Sequence, residues 1–182
     1  MNKKTFSYAM AAAFSVVAFA SSVQAADGTI DFTGIVNGQT CTINGGGAGK
    51  NFTVALPTVA TSALATAGEW AGRTQFSIKL TDCVPDSGLV STRFESGPTV
   101  NLGSGSLIID QAGAGAKNVE IGLLNSDYSK IMVGAPEASQ NSKSVSMTAG
   151  TATLNYFAQY EATGVSEPGA ANTRVQYTMI YQ

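Results

Sequence analysis

Apolar and polar residues alternate with a period of two along most of this chain, and helical periodicity is almost absent. Such alternation sends every second side chain to the same face of a strand, so it predicts strands buried on one side. Thr29 to Val36 places Ile30, Phe32, Gly34 and Val36 on one face. Phe52 to Leu56 is a short run that stops at Pro57. Thr74 to Cys83 aligns Phe76, Ile78 and Leu80. Further strands are predicted at Val100 to Leu102 and Leu107 to Ile109, and at Asn118 to Asn125 with Val119, Ile121 and Leu123 in step. Ser144 to Gly164 reads as two strands joined near Ala149-Gly150. In the last strand, Thr173 to Gln182, Val175, Tyr177, Met179 and Tyr181 share a face. Glycine-rich stretches at Gly45 to Gly49, Ala112 to Ala116 and Gly164 to Ala171 read as loops. Thr58 to Trp70, rich in Ala and Thr, permits a short helix or an irregular connection. Many short strands at this spacing predict an all-β, immunoglobulin-like antiparallel sandwich.

The start of the chain sets the compartment. Lys3 and Lys4 precede an apolar stretch from Ala9 to Ala20, and Val23-Gln24-Ala25 fits a small-x-small cleavage site. Residues 1–25 therefore read as a secretory signal peptide. The apolar run is shorter than the roughly 20 residues a spanning helix needs. Cleavage leaves 157 of the 182 residues, with 8 basic and 12 acidic side chains and a net charge of −4. That balance lacks the basic footprint of a nucleic-acid binder. In an exported chain the two cysteines, Cys41 and Cys83, read as one disulfide.

Catalytic signals are sparse. The chain has no histidine, which removes Ser-His-Asp and Cys-His catalysis and the commonest zinc ligand. The stretch from Asn44 to Asn51 resembles a phosphate-binding loop, but Asn44 stands in place of its first glycine and Asn51 in place of its Mg²⁺-holding hydroxyl. Asp82 and Asp86 flank Cys83, with nothing in the sequence to bury either one. Asn51-Phe52-Thr53 matches a short glycosylation sequon. No catalytic residue, metal or cofactor is assigned.

The strand at Thr29 to Val36 is surplus. The strands from Cys41 onward nearly complete a seven-stranded sandwich. A terminal strand either pairs within its own domain or adds to the sheet edge of another molecule. Four features make the chain similar to the major pilins of chaperone–usher fimbriae, the type 1 pilus subunit family. The signal peptide is followed by a short alternating extension with a glycine, Gly34. The first cysteine opens Cys41-Thr42-Ile43. The second closes a strand through Phe76, Ile78, Leu80 and Asp82. The penultimate residue is Tyr181, and Gly169 stands fourteenth from the end.

The resemblance implies a sandwich that lacks its last strand. Residues 26–37 form a donor-strand extension and residues 38–182 the pilin domain. Ile30, Phe32 and Val36 are the implied donor side chains, with Gly34 where the groove is too shallow for one. Gly169, Val175, Tyr177, Met179, Tyr181 and Gln182 are the implied groove and chaperone contacts. Implied partners are identical subunits in a homopolymer, a periplasmic chaperone, an outer-membrane usher and tip or minor pilins, with export through the periplasm to a surface fimbrium. The expected function is a non-enzymatic fimbrial shaft subunit that supports adhesion. The alternatives are a minor or adaptor pilin and a self-contained secreted sandwich that binds carbohydrate or protein.

Overall fold

The computed structural model describes residues 27–34, 38, 40–47 and 49–182, so the proposed signal peptide and Val36 lie outside the described residues. The chain divides into two units, Met1–Val36 and Asn37–Gln182. In the first, residues 27–34 are exposed and outside any strand, and Ile30 and Phe32 are 78% and 92% exposed.

The second unit carries two antiparallel sheets. The larger contains β1 (Thr40–Gly45), β2 (Trp70–Val84), β4 (Val100–Asn101), β5 (Ser106–Ile108), β6 (Lys117–Asn125), β7 (Lys130–Ile131) and β9 (Ala152–Glu167). Its order is β1-β2-β9-β6-β5-β4, with β7 also paired to β6. The smaller consists of β3 (Gly88–Phe94), β8 (Val145–Met147) and β10 (Tyr177–Tyr181), in the order β10-β3-β8. Alternation sends Ile78, Leu80, Ile121, Leu123, Leu154 and Tyr156 from the large sheet into one core with Val90, Phe94, Met147 and Met179 from the small sheet. Each such side chain contributes about 1.5–3 kcal/mol when fully buried. The Cys41–Cys83 disulfide ties β1 to β2 inside the large sheet.

Local chemistry explains the corner between the sheets. β8 and β9 meet through a Thr148–Thr151 bridge around Ala149 and Gly150, whose φ values are 47° and 69°. Positive φ at both central residues is the geometry of the tight hairpin turns that favour glycine. The predicted junction at Ala149-Gly150 is therefore where the chain changes sheets.

Several predicted boundaries shift. β9 runs through Gly164 to Glu167, so the loop predicted from Gly164 begins later. A single 3₁₀ turn, Thr61–Leu64, occupies the ambiguous Thr58 to Trp70 stretch and buries Leu64. Phe52 to Leu56 keeps its alternation, with Phe52, Val54 and Leu56 half-buried and the residues between them exposed, but it belongs to neither sheet. β3 has no counterpart among the predicted strands. Its centre is Ser91-Thr92, two polar residues that are nevertheless buried, so the apolar alternation is broken there.

Where β8 ends, a side chain takes over as the neighbour of β3. The amide of Gln140, at the end of the short helix α1 (Glu137–Gln140), accepts from Phe94 N at 2.8 Å and donates to Phe94 O at 2.8 Å. Gln140 is 1% exposed, and this exchange supplies both backbone bonds a neighbouring strand would have made.

Candidate functional site

β10 lies at the margin of the small sheet, and the parity of its hydrogen bonds shows which groups face outward. Gln182 and Leu89 exchange two backbone bonds, at 2.8 and 3.0 Å, and Glu95 N donates to Gln176 O at 2.8 Å. In an antiparallel ladder, alternate residues turn their N–H and C=O to the same neighbour. Gln176, Thr178, Ile180 and Gln182 therefore serve β3. The N–H and C=O groups of Val175, Tyr177, Met179 and Tyr181 point the other way, and β3 is the only strand paired with β10 among the described residues. The stretch before β10 keeps the same parity. Asp110 N donates to Asn172 O, and Thr99 Oγ1 donates to Arg174 O.

The side chains of those odd-numbered residues form an apolar floor. Met179 is buried, and Ala171, Val175, Tyr177 and Tyr181 are half-buried against the main core. Phe52, Leu56 and Phe76 pack against the same core. Phe52 meets Tyr177 with ring centroids 6.3 Å apart, edge to face, and Phe76 at 6.2 Å. The Phe52 ring occupies the space where a side chain on Gly45 would lie. Tyr177 Oη donates to Lys50 O at 2.7 Å. Burial pushes the phenols of Tyr177 and Tyr181 above their ordinary range, so both stay protonated donors at neutral pH.

The structure brings four of the named residues, Val175, Tyr177, Met179 and Tyr181, onto one edge. Gln182 continues that line but is held by Leu89, and its carbonyl lies over Gly88, where an added Cβ would approach it to 2.8 Å. Gly169 has a packing role of its own. A Cβ there would lie 2.4 Å from Ala116 N and 2.6 Å from Ala114 O, at the crossing held by Ala116 N to Ala170 O. Phe52, Leu56, Phe76 and the Lys50 carbonyl complete the edge; the first three were read from sequence as strand residues, and none was assigned to the groove. The Phe52 to Leu56 alternation was the signal that could have found them.

Little else in the described residues is arranged for chemistry. Asp82 and Asp86 are both exposed. Among the described residues no three His, Cys, Asp or Glu side chains could hold a metal ion. The outward face of the large sheet carries a polar cluster. Glu161 accepts from Lys130 Nζ at 2.7 Å, Ser106 Oγ at 2.9 Å and Gln159 Nε2 at 3.1 Å, and its carboxylate fills the space beside Gly122. Burial raises the Glu161 carboxyl, but these hydrogen bonds and the Lys130 charge together hold it below the usual carboxylate range. Nearby, the Arg73 guanidinium lies 3.9 Å from the centroid of Trp70 and 4.5 Å from that of Tyr128.

Comparison with known proteins places this edge in context. The family model for type-1 fimbrial protein, A, matches residues 56–182. The chain is 47% identical to the major fimbrial subunit SMF-1 of Stenotrophomonas maltophilia, over 86% of this chain and 94% of that one. It is 39% identical to the F17 fimbrial protein of Escherichia coli, over 91% and 93%. Among solved structures, the P pilus rod subunit PapA superposes with a TM-score of 0.57 at 18% identity, over 78% of this chain and 99% of that one. A type I fimbria protein and antigen of Burkholderia pseudomallei gives 0.54 at 23% identity, over 79% and 97%. These two structural matches share the fold.

Proposed function

The chain belongs to the type-1 fimbrial protein family, and from that premise we propose that it is a structural, non-catalytic subunit whose β10 edge accepts the N-terminal strand of the next copy. The observation that carries the reading is the parity of β10. Val175, Tyr177, Met179 and Tyr181 offer backbone donors and acceptors along an edge whose floor is apolar. Strand addition satisfies both demands at once, because main-chain bonds supply affinity and alternate side chains fill the floor.

The donor is the extension of a sister molecule. Its Ile30 and Phe32 are exposed apolar side chains on an alternating segment, and Val36 continues the same face in sequence. Burying Ile, Phe and Val contributes about 1.5–3 kcal/mol each. Ladder bonds add roughly 0.5–1.5 kcal/mol apiece. Gly34, between Phe32 and Val36 on the same alternating face, brings no side chain to that floor. Because each copy gives its extension to a different surface on the next, the contact is heterologous and does not close, which builds a filament.

On this reading the product is a surface fimbrium, reached by export through the periplasm. An uncovered sheet edge invites wrong pairing, so a periplasmic chaperone covers β10 until an outer-membrane usher brings the next extension. The test is deletion of residues 26–36. The truncated subunit is expected to fold with its disulfide intact and to give no SDS-resistant ladder. Normal laddering by the truncated chain would overturn the proposal.

A further inference from the structure

We propose that Tyr177 is a brace that sets the width of the acceptor edge before any strand arrives. The inference rests on the strand-acceptor reading above. Its side chain crosses from β10 to the Lys50–Leu56 segment, where the hydroxyl meets the Lys50 carbonyl at 2.7 Å. Among the described residues this is the one hydrogen bond that links β10 side chains to that segment. A strand added between two neighbours occupies two lateral steps of about 4.8 Å each. A tyrosine side chain plus one hydrogen bond spans about that distance, so the bond holds the two walls one strand apart.

The bond is placed to act on spacing rather than on the core. The Lys50–Leu56 segment is in neither sheet, so no ladder fixes its distance from β10. Its other ties at this level are contacts of the Phe52 ring with Phe76, Tyr177 and Gly45, and the hydrogen bonds that hold Gly49, just before Lys50, to β1. Ring contacts tolerate sliding, whereas a hydrogen bond from a rigid phenol to a main-chain carbonyl fixes a length and a direction. Tyr177 follows Gln176, whose carbonyl is already bound by Glu95 N, so the anchor on the β10 side is firm. A site held at bound width binds faster and tighter than one that must first open.

The test uses the full mature chain, freshly refolded at low concentration, and a fluorescent peptide spanning residues 27–37. Uptake is followed by anisotropy and checked as an SDS-resistant band. Three proteins are compared: the parent, Tyr177→Phe, and a variant with p-aminophenylalanine at 177, which keeps both the ring and a donor. The parent and the amino variant should take up peptide at matching rates. Tyr177→Phe should be slower by roughly two- to tenfold, the factor that one net hydrogen bond represents, with its thermal midpoint lowered by no more than about 1–6 °C, the same bond's worth in the unoccupied subunit. If Tyr177→Phe matches the parent, or fails to fold, the brace is overturned and the strand-acceptor reading stands. If none of the three takes up peptide, the strand-acceptor reading falls and the brace falls with it.

Discussion

Replacing Phe32 by alanine separates the stability of one subunit from the strength of the joint it makes. Phe32 is 92% exposed within its own chain, so its loss removes almost no buried surface from the folded subunit. Exposed substitutions of this kind usually change stability by no more than about 0.5 kcal/mol. In the proposed joint the same ring sits between β10 and the Phe52–Leu56 wall, on a floor of half-buried apolar side chains. Loss of a phenylalanine from such a site costs about 2–3 kcal/mol in transfer free energy alone. At 1.4 kcal/mol per tenfold, each joint weakens by roughly 30- to 150-fold. Two measurements on the same preparation decide the matter. Circular dichroism melting of monomer should move by no more than about 1–2 °C. The temperature at which the SDS-resistant ladder collapses should fall well beyond that. If the monomer loses as much stability as the ladder, or the ladder is untouched, Phe32 is not a donor side chain.

Gly169→Ala should lower subunit stability by about 1–3 kcal/mol, because the new methyl meets backbone atoms of Ala114 and Ala116 that cannot move aside; urea unfolding measures it, and an unchanged midpoint would contradict the packing role. Glu161 gives a pH signature. Its carboxyl is depressed in the folded state, so its contribution is present above the ordinary carboxylate pKa of about 4.3 and is lost as pH falls through the folded value. Glu161→Gln should therefore flatten the acid limb of the stability curve below about pH 4.5; an acid limb as steep as that of the parent, in unfolding curves taken from pH 7 to pH 3, would rule out this assignment.

How much was legible in the sequence depends on what alternation reports. It records which face of an extended segment is buried, and says nothing of what lies along the segment's edges. Val175, Tyr177, Met179 and Tyr181 were readable as one face because burial follows the pattern from Ala171 to Met179. Phe52 to Leu56 was equally readable as a face, yet the segment joins no ladder. The Ala149-Gly150 corner was visible because turn chemistry is local. β3 was invisible because Ser91 and Thr92 interrupt the apolar pattern at its centre. Missing β3 also hid the parity of β10, since only the pairing of Gln182 with Leu89 reveals which backbone groups are spoken for. The Lys50 carbonyl could not have been found at all, because a main-chain acceptor leaves no mark in composition.

Gln140 decides the shape of what such units can build. A three-stranded sheet has two margins, and its amide seals β3 at Phe94 on the margin opposite β10. With that stretch of rail closed, a second incoming tail finds no continuous seat on the far side. Under the proposed strand exchange, assembly at this sheet lengthens a thread without forking it, and every thread carries a direction, one terminus with a spare tail and the other with a bare edge. Electron micrographs with branch points at regular intervals would be incompatible with that geometry.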